Sequence, residues 1–95
     1  MFGEATDFKQ LVNDGAIIVD VRSPMEYKSG HIPGSLNIPL DSIRGKMDEL
    51  KKKNKTIITV CRSGARSSAA KGQLSSNGIT AINGGPWNSL MSKIR

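Results

Sequence analysis

The chain has 95 residues, enough for one domain with its own apolar core, and residues 1–95 read as a single domain. It has one cysteine, which excludes an internal disulfide, and no apolar run approaches the length that crosses a membrane. Its net charge of +6 attracts anions. However, the densest basic cluster, Lys51-Lys52-Lys53-Asn54-Lys55, suits the exposed C-terminal end of a helix. No aromatic residue interleaves with that cluster, so no nucleic-acid partner and no membrane partner is expected.

The start, Met1 to Asp7, has neither a basic n-region nor an apolar h-region, so no signal peptide is expected there. An unpaired thiol fits a reducing compartment, and a cytoplasmic monomer is the expectation. Thr6 is placed to cap a first helix through Leu11 and Val12, ending at Gly15. Ala16 to Val21 is a continuous, largely β-branched run, the pattern of a strand buried on both faces of a parallel sheet. Ser23 caps and Pro24 opens a short helix that closes at Gly30. His31-Ile32-Pro33-Gly34 reads as loop and Ser35 to Ile38 as a short strand.

Asp41 is placed to cap a helix in which Leu40, Ile43, Met47 and Leu50 recur at helical spacing. Thr56 to Val60 is the second strong strand. Cys61 to Ala65 reads as loop, and Arg66 or Ser67 begins a helix that stops at Asn77-Gly78. Ile79 to Ile82 is a last short strand, Gly84-Gly85 turns the chain, and Pro86 begins a final helix. Strands alternate with helices throughout, which predicts an α/β fold with an open parallel sheet flanked by helices on both faces.

The chemistry concentrates in Val60-Cys61-Arg62-Ser63-Gly64-Ala65-Arg66-Ser67. A buried strand ends, a short glycine-bearing loop follows, and a helix begins. Ligands of open parallel sheets bind outside the carboxyl ends of the strands. A loop curling into a helix N-terminus turns several N–H groups inward, which favours an anion. That anion can be the Cys61 thiolate, because such settings lower a thiol pKa from about 8.5 toward about 3.5–7.5. Arg62 and Arg66 add fixed positive charge. A cysteine after a β-branched strand is also a common small core residue; the polar and cationic neighbours argue against that reading here.

Cys61-Arg62-Ser63-Gly64-Ala65-Arg66-Ser67 resembles the active-site loop of rhodanese-like sulfurtransferases. Asp20-Val21-Arg22, Glu26-Tyr27, Gly30-His31-Ile32-Pro33-Gly34-Ser35 and Asn37-Ile38-Pro39 are similar to the family's other signature at matching spacing. Ala70, Leu74 and Gly78 fit the following helix, and Gly84-Gly85 fits a late glycine pair. The family often places a second aromatic a few residues after that pair, whereas here Pro86-Trp87 follows directly; Trp87 reads as core or pocket rim.

The resemblance implies a five-stranded parallel sheet, of which four strands are recognisable in this chain. It also implies a cysteine that cycles between thiolate and persulfide. Cys61 is then the nucleophile and persulfide carrier. Loop N–H groups from Arg62 through Ser63, Gly64, Ala65, Arg66 and Ser67 hold the persulfide or the anionic group of a donor such as thiosulfate, and Arg62 and Arg66 steer it. Cyanide, a small thiol or a protein accepts the sulfur. A sulfur-carrier or interaction module with little activity of its own is the alternative, followed by phosphatase or arsenate-reductase chemistry on the same fold. From Cys61 to Arg66 the loop is six residues, the length seen in rhodanese-like sulfurtransferases, whereas related phosphatases typically carry one more.

Asp20 and Arg22 are supporting residues: Asp20 either accepts loop N–H bonds or faces Arg22, and Arg22 and Glu26 have the spacing of an ion pair. His31, between glycines, is read as bonding the backbone rather than as a general base. One cysteine and one histidine without clustered carboxylates make no metal ligand set, and no cofactor is expected.

Overall fold

The computed structural model describes residues 6–95. The expectation about a leader sequence rests mostly on residues 1–5, outside the described part. The first helix, α1 (Phe8–Asn13), is capped by Asp7, whose carboxylate accepts from the Gln10 N–H at 3.0 Å. Thr6 was the expected cap. Both types serve, and it is Asp7 that stands three residues before a free N–H.

Strand β1 (Ile17–Asp20) is followed by α2 (Pro24–Lys28). Ser23 caps α2 as expected, and Glu26 completes a reciprocal capping box. Strand β2 is Leu36–Asn37. The helix expected after Asp41 is instead two 3-10 turns, Leu40–Ser42 and Arg44–Lys46, leading into α3 (Met47–Lys53). Asp41 makes no side-chain cap there. Gly45 lies inside this run and is a poor helix former. The apolar spacing nevertheless does its work, since Ile43, Met47 and Leu50 are all buried. Asn54, in the left-handed conformation, ends α3 and leaves its lysines exposed.

Strand β3 (Ile57–Cys61) runs one residue further than expected, so Cys61 is its last residue rather than the first of a loop. Helix α4 (Ala65–Ser76) then starts on Gly64 as N-cap, which puts Ala65, Arg66 and Ser67 in its first turn. Strand β4 (Ala81–Pro86) and α5 (Trp87–Ile94) complete the chain.

The four strands form one parallel sheet in the order β2-β1-β3-β4, with no fifth strand among the described residues. The side-chain period of two sorts β1 and β3 onto two cores. Val19, Ile57 and Cys61 face Ile43, Met47, Leu50, Ala70 and Leu74 from α3, α4 and the turns before α3. Ile18, Ile58 and Val60 face α1 and α5 through Phe8, Leu11, Val12, Trp87, Leu90 and Met91. Helices therefore cover both faces, and β1 and β3 read as mostly apolar runs because neither face meets water.

Gly84-Gly85 does not turn the chain out of the sheet, as the sequence suggested; both lie inside β4. Thr59 pairs with Asn83 and Val60 with Gly85, so Gly84 is the extra residue of a bulge. A Cβ on Gly84 would lie 2.8 Å from Ile58 Cγ2 and 3.0 Å from the Thr59 carbonyl. Gly84→Ala should therefore cost about 1–3 kcal/mol. The same change at Gly72, exposed in the middle of α4 with nothing within 4 Å of a new Cβ, should stabilise by about 0.5–1 kcal/mol. Chemical denaturation of the two variants checks the opposite signs.

Candidate active site

Cys61 stands at the carboxyl end of β3, a central strand, on the face covered by α4. Its Sγ accepts the N–H of Gly64 at 3.0 Å and the N–H of Ser67 at 3.3 Å. The Ser67 hydroxyl is also 3.3 Å from Sγ. Gly64 makes this turn with φ +101°, a conformation that L side chains rarely adopt. Thr59, one turn of the pleat earlier on the same face, donates its hydroxyl to the Ser67 carbonyl at 2.8 Å and ties the start of α4 to β3.

Burial pushes the Cys61 thiol up, but the Ser67 hydroxyl and the N–H groups of Ser67, Gly64 and Ser63 outweigh it. The net result is a thiol held below its ordinary value. Local hydrogen-bond donors, more than the two arginines, hold the thiolate. The Cys61 residue is 0% exposed, so no solvent molecule meets Sγ without a local opening.

The loop arginines take different positions. Arg62 and Ser63 are exposed. Arg66 turns toward α2 and grips Glu26, with Nη1 to Oε1 at 2.8 Å and Nη2 to Oε2 at 3.0 Å. The Arg66 guanidinium, followed by the Ser23 N–H, holds the Glu26 carboxyl down at about 2, and Glu26 raises Arg66 in return. The pair is part-exposed, so Glu26→Gln should cost about 1 kcal/mol or less at neutral pH. A carboxyl lowered on folding stabilises above its unfolded value. That contribution should fade only as pH falls from about 4.5 toward about 2. Urea midpoints measured across that range check it.

Glu26 was expected to pair with Arg22. The structure gives Arg22 to Asp20 instead. Arg22 Nη2 donates to Asp20 Oδ2 at 2.7 Å and Nε donates to Oδ1 at 2.9 Å. Asp20 also accepts the Arg22 N–H at 3.1 Å, so both readings of Asp20 hold at once. From Glu26, Arg22 takes only the main-chain oxygen, at 3.3 Å. Two residues apart and both buried, Asp20 and Arg22 brace the exit of β1 and do not touch Sγ. Trp87 lies under Arg22, its ring centre 4.7 Å from the guanidinium carbon, and belongs to the α1–α5 core. His31 Nδ1 is 2.7 Å from the Tyr27 carbonyl, and since that oxygen only accepts, Nδ1 carries the proton. The ring stacks on Tyr27 at 3.7 Å, as a structural histidine would.

The sequence did not single out Asn83. In the middle of β4, beside the bulge at Gly84, its side chain reaches Ser67, Gly64 and Gly85. A polar residue immediately before a glycine pair, just past the expected strand Ile79 to Ile82, was the available signal.

Residues 4–86 match the Rhodanese-like domain family. The chain belongs to the rhodanese-like family. This rhodanese-like domain is 34% identical over 80 residues to the thiosulfate sulfurtransferase PspE of Escherichia coli strain K12, covering 81% of this chain and 77% of that protein. It is 36% identical over 77 residues to a putative sulfur carrier protein, YrkF, of Bacillus subtilis strain 168, covering 79% of this chain and 41% of that one. It spans 52% of YqhL, an uncharacterized protein of the same bacterium, so such relatives carry more chain than this domain matches. Among solved structures, a rhodanese with anions from E. coli superposes with a TM-score of 0.71 at 32% identity, covering 78% of this chain and 89% of that one. Rhodanese-like domains related to this one thus include sulfurtransferases and a putative sulfur carrier. Among the described residues, no helix is long and apolar enough to cross a membrane.

Proposed function

We propose that this rhodanese-like domain is a thiosulfate sulfurtransferase with Cys61 as nucleophile. The supporting observation is Sγ at the end of a central strand, already under two backbone N–H groups and one hydroxyl. The thiolate attacks the outer sulfur of thiosulfate. A new S–S bond forms at Sγ, the donor's S–S bond breaks, and sulfite leaves with the electron pair. The persulfide's charge then sits on the outer sulfur. Cyanide or a thiolate attacks that sulfur, and Cys61 leaves as thiolate. Two half-reactions through a covalent enzyme give ping-pong kinetics. Arg66, while paired with Glu26, keeps its side chain 39% exposed in the first turn of α4 and adds positive charge for an anionic donor. Arg62, next to Cys61 in the chain, is exposed.

The six-residue span from Cys61 to Arg66 argues against phosphoryl transfer, which needs a wider ring of donors around three equatorial oxygens. The testing experiment is intact mass spectrometry after thiosulfate treatment without reductant. A gain of one sulfur atom on Cys61, with no turnover of an aryl phosphate, is expected. Efficient phosphatase turnover and no sulfur uptake would refute the proposal. A second reading, a carrier loaded by a partner, is favoured by the complete burial of Cys61 and by the carrier name of one relative. It is distinguished by persulfide that loads from a persulfide-bearing protein but not from thiosulfate.

A further inference from the structure

The Ser67 hydroxyl has more acceptors than protons. Its Oγ lies 2.7 Å from Asn83 Oδ1, 3.1 Å from the Gly64 carbonyl and 3.3 Å from Cys61 Sγ. The Asn83 amide has only one workable orientation. Its oxygen receives the Gly85 N–H at 2.9 Å, and its Nδ2 donates to the Gly64 carbonyl at 3.2 Å. Flipping it would set donor against donor at Gly85 and acceptor against acceptor at Gly64. Oδ1 is therefore a fixed acceptor at the shortest of the three distances.

When Cys61 is a neutral thiol, the chain S–H to Ser67 Oγ, then O–H to Asn83 Oδ1, satisfies every group. When Sγ is ionised, it too wants the single hydroxyl proton, and Asn83 competes for it. In the persulfide the charge has moved to the outer sulfur, and the hydroxyl is free to return to Asn83.

We infer that Asn83 is a positioning residue that acts through Ser67, drawing the hydroxyl proton away from Sγ whenever Sγ carries no charge. The inference deepens the proposed function and rests on it only for its place in the cycle. Asn83 raises the cost of the resting thiolate relative to the persulfide. Other charged groups near the site are the exposed Arg62 that follows Cys61, Arg66 on α4, Glu26 on α2 that grips it, and the Asp20–Arg22 pair at the end of β1. β4 contributes no titratable side chain, and Asn83 stays uncharged throughout.

The test is the ultraviolet absorbance of the thiolate against pH, with Cys61→Ser as blank; the chain's one cysteine makes the signal unambiguous. In Asn83→Ala the hydroxyl is released to the sulfur, and the midpoint should fall by about half a unit to one unit. In a Ser67→Ala background there is no hydroxyl to release, and the same substitution should leave the midpoint in place. Asn83→Asp, which keeps an acceptor for Gly85, covers the case in which Asn83→Ala does not fold. It should raise the midpoint, and by less when Ser67 is alanine. An unchanged midpoint in Asn83→Ala, or equal shifts with and without the Ser67 hydroxyl, would overturn the inference. Sulfur uptake from thiosulfate, measured separately by mass, reports on the proposed function. A shifted midpoint without uptake would therefore refute that function and leave the proton competition standing.

Discussion

Cys61→Ser should abolish sulfur uptake from thiosulfate and lower any sulfur transfer by about a thousandfold or more. Serine keeps the volume at this buried position nearly constant and still offers an acceptor to the Gly64 and Ser67 N–H groups. Its oxygen, however, is not ionised near neutral pH and does not form a stable bond to a transferable sulfur. Stability should therefore change by only about 1 kcal/mol, and circular dichroism should show an intact fold. Intact mass and a thiosulfate:cyanide assay check the loss. A folded serine variant that still turns over would remove Cys61 from the mechanism.

The parts of the fold legible in the sequence were those set by periodicity. β1 and β3 announce themselves because both faces of each are mostly apolar, and Ser23-Pro24 announces α2 because cap and first-turn chemistry is local. The loop after Cys61 was legible for the same reason, since strand end, glycine and helix start lie within a few residues. Less visible were the choices settled by distant neighbours. Glu26 is four residues from Arg22 and 40 from Arg66, yet it pairs with the farther one. Asp20 lies closer to the Arg22 guanidinium and takes its Nε and one Nη. Gly84-Gly85 looked like a turn, and only the close approach of Ile58 shows why a strand needed a residue without a side chain there. Asn83 stayed hidden because its partners, Ser67 and Gly64, come from another strand–helix unit.

Asp20→Ala should be the most destabilising polar substitution in the chain, although Asp20 never touches the sulfur. Asp20 is 0% exposed and Arg22 is 4% exposed. With the carboxylate gone, the guanidinium keeps only the Gly30 carbonyl at 2.7 Å, the Glu26 carbonyl at 3.3 Å and the face of Trp87. None of these neutralises it, and removing one partner of a buried pair costs about 3–5 kcal/mol. For a domain of this size that is a large share of a total of about 5–15 kcal/mol, and Tm should drop by more than about 10 °C. Arg22→Met added to Asp20→Ala should recover part of the loss, because the stranded charge is removed and the apolar stem still packs on Trp87. The partial recovery distinguishes an unpaired charge from a simple cavity, in which case the second substitution would add to the damage. Calorimetry on the single and double variants decides between them, and a single-variant loss below about 1 kcal/mol would show that the pair does not brace the exit of β1.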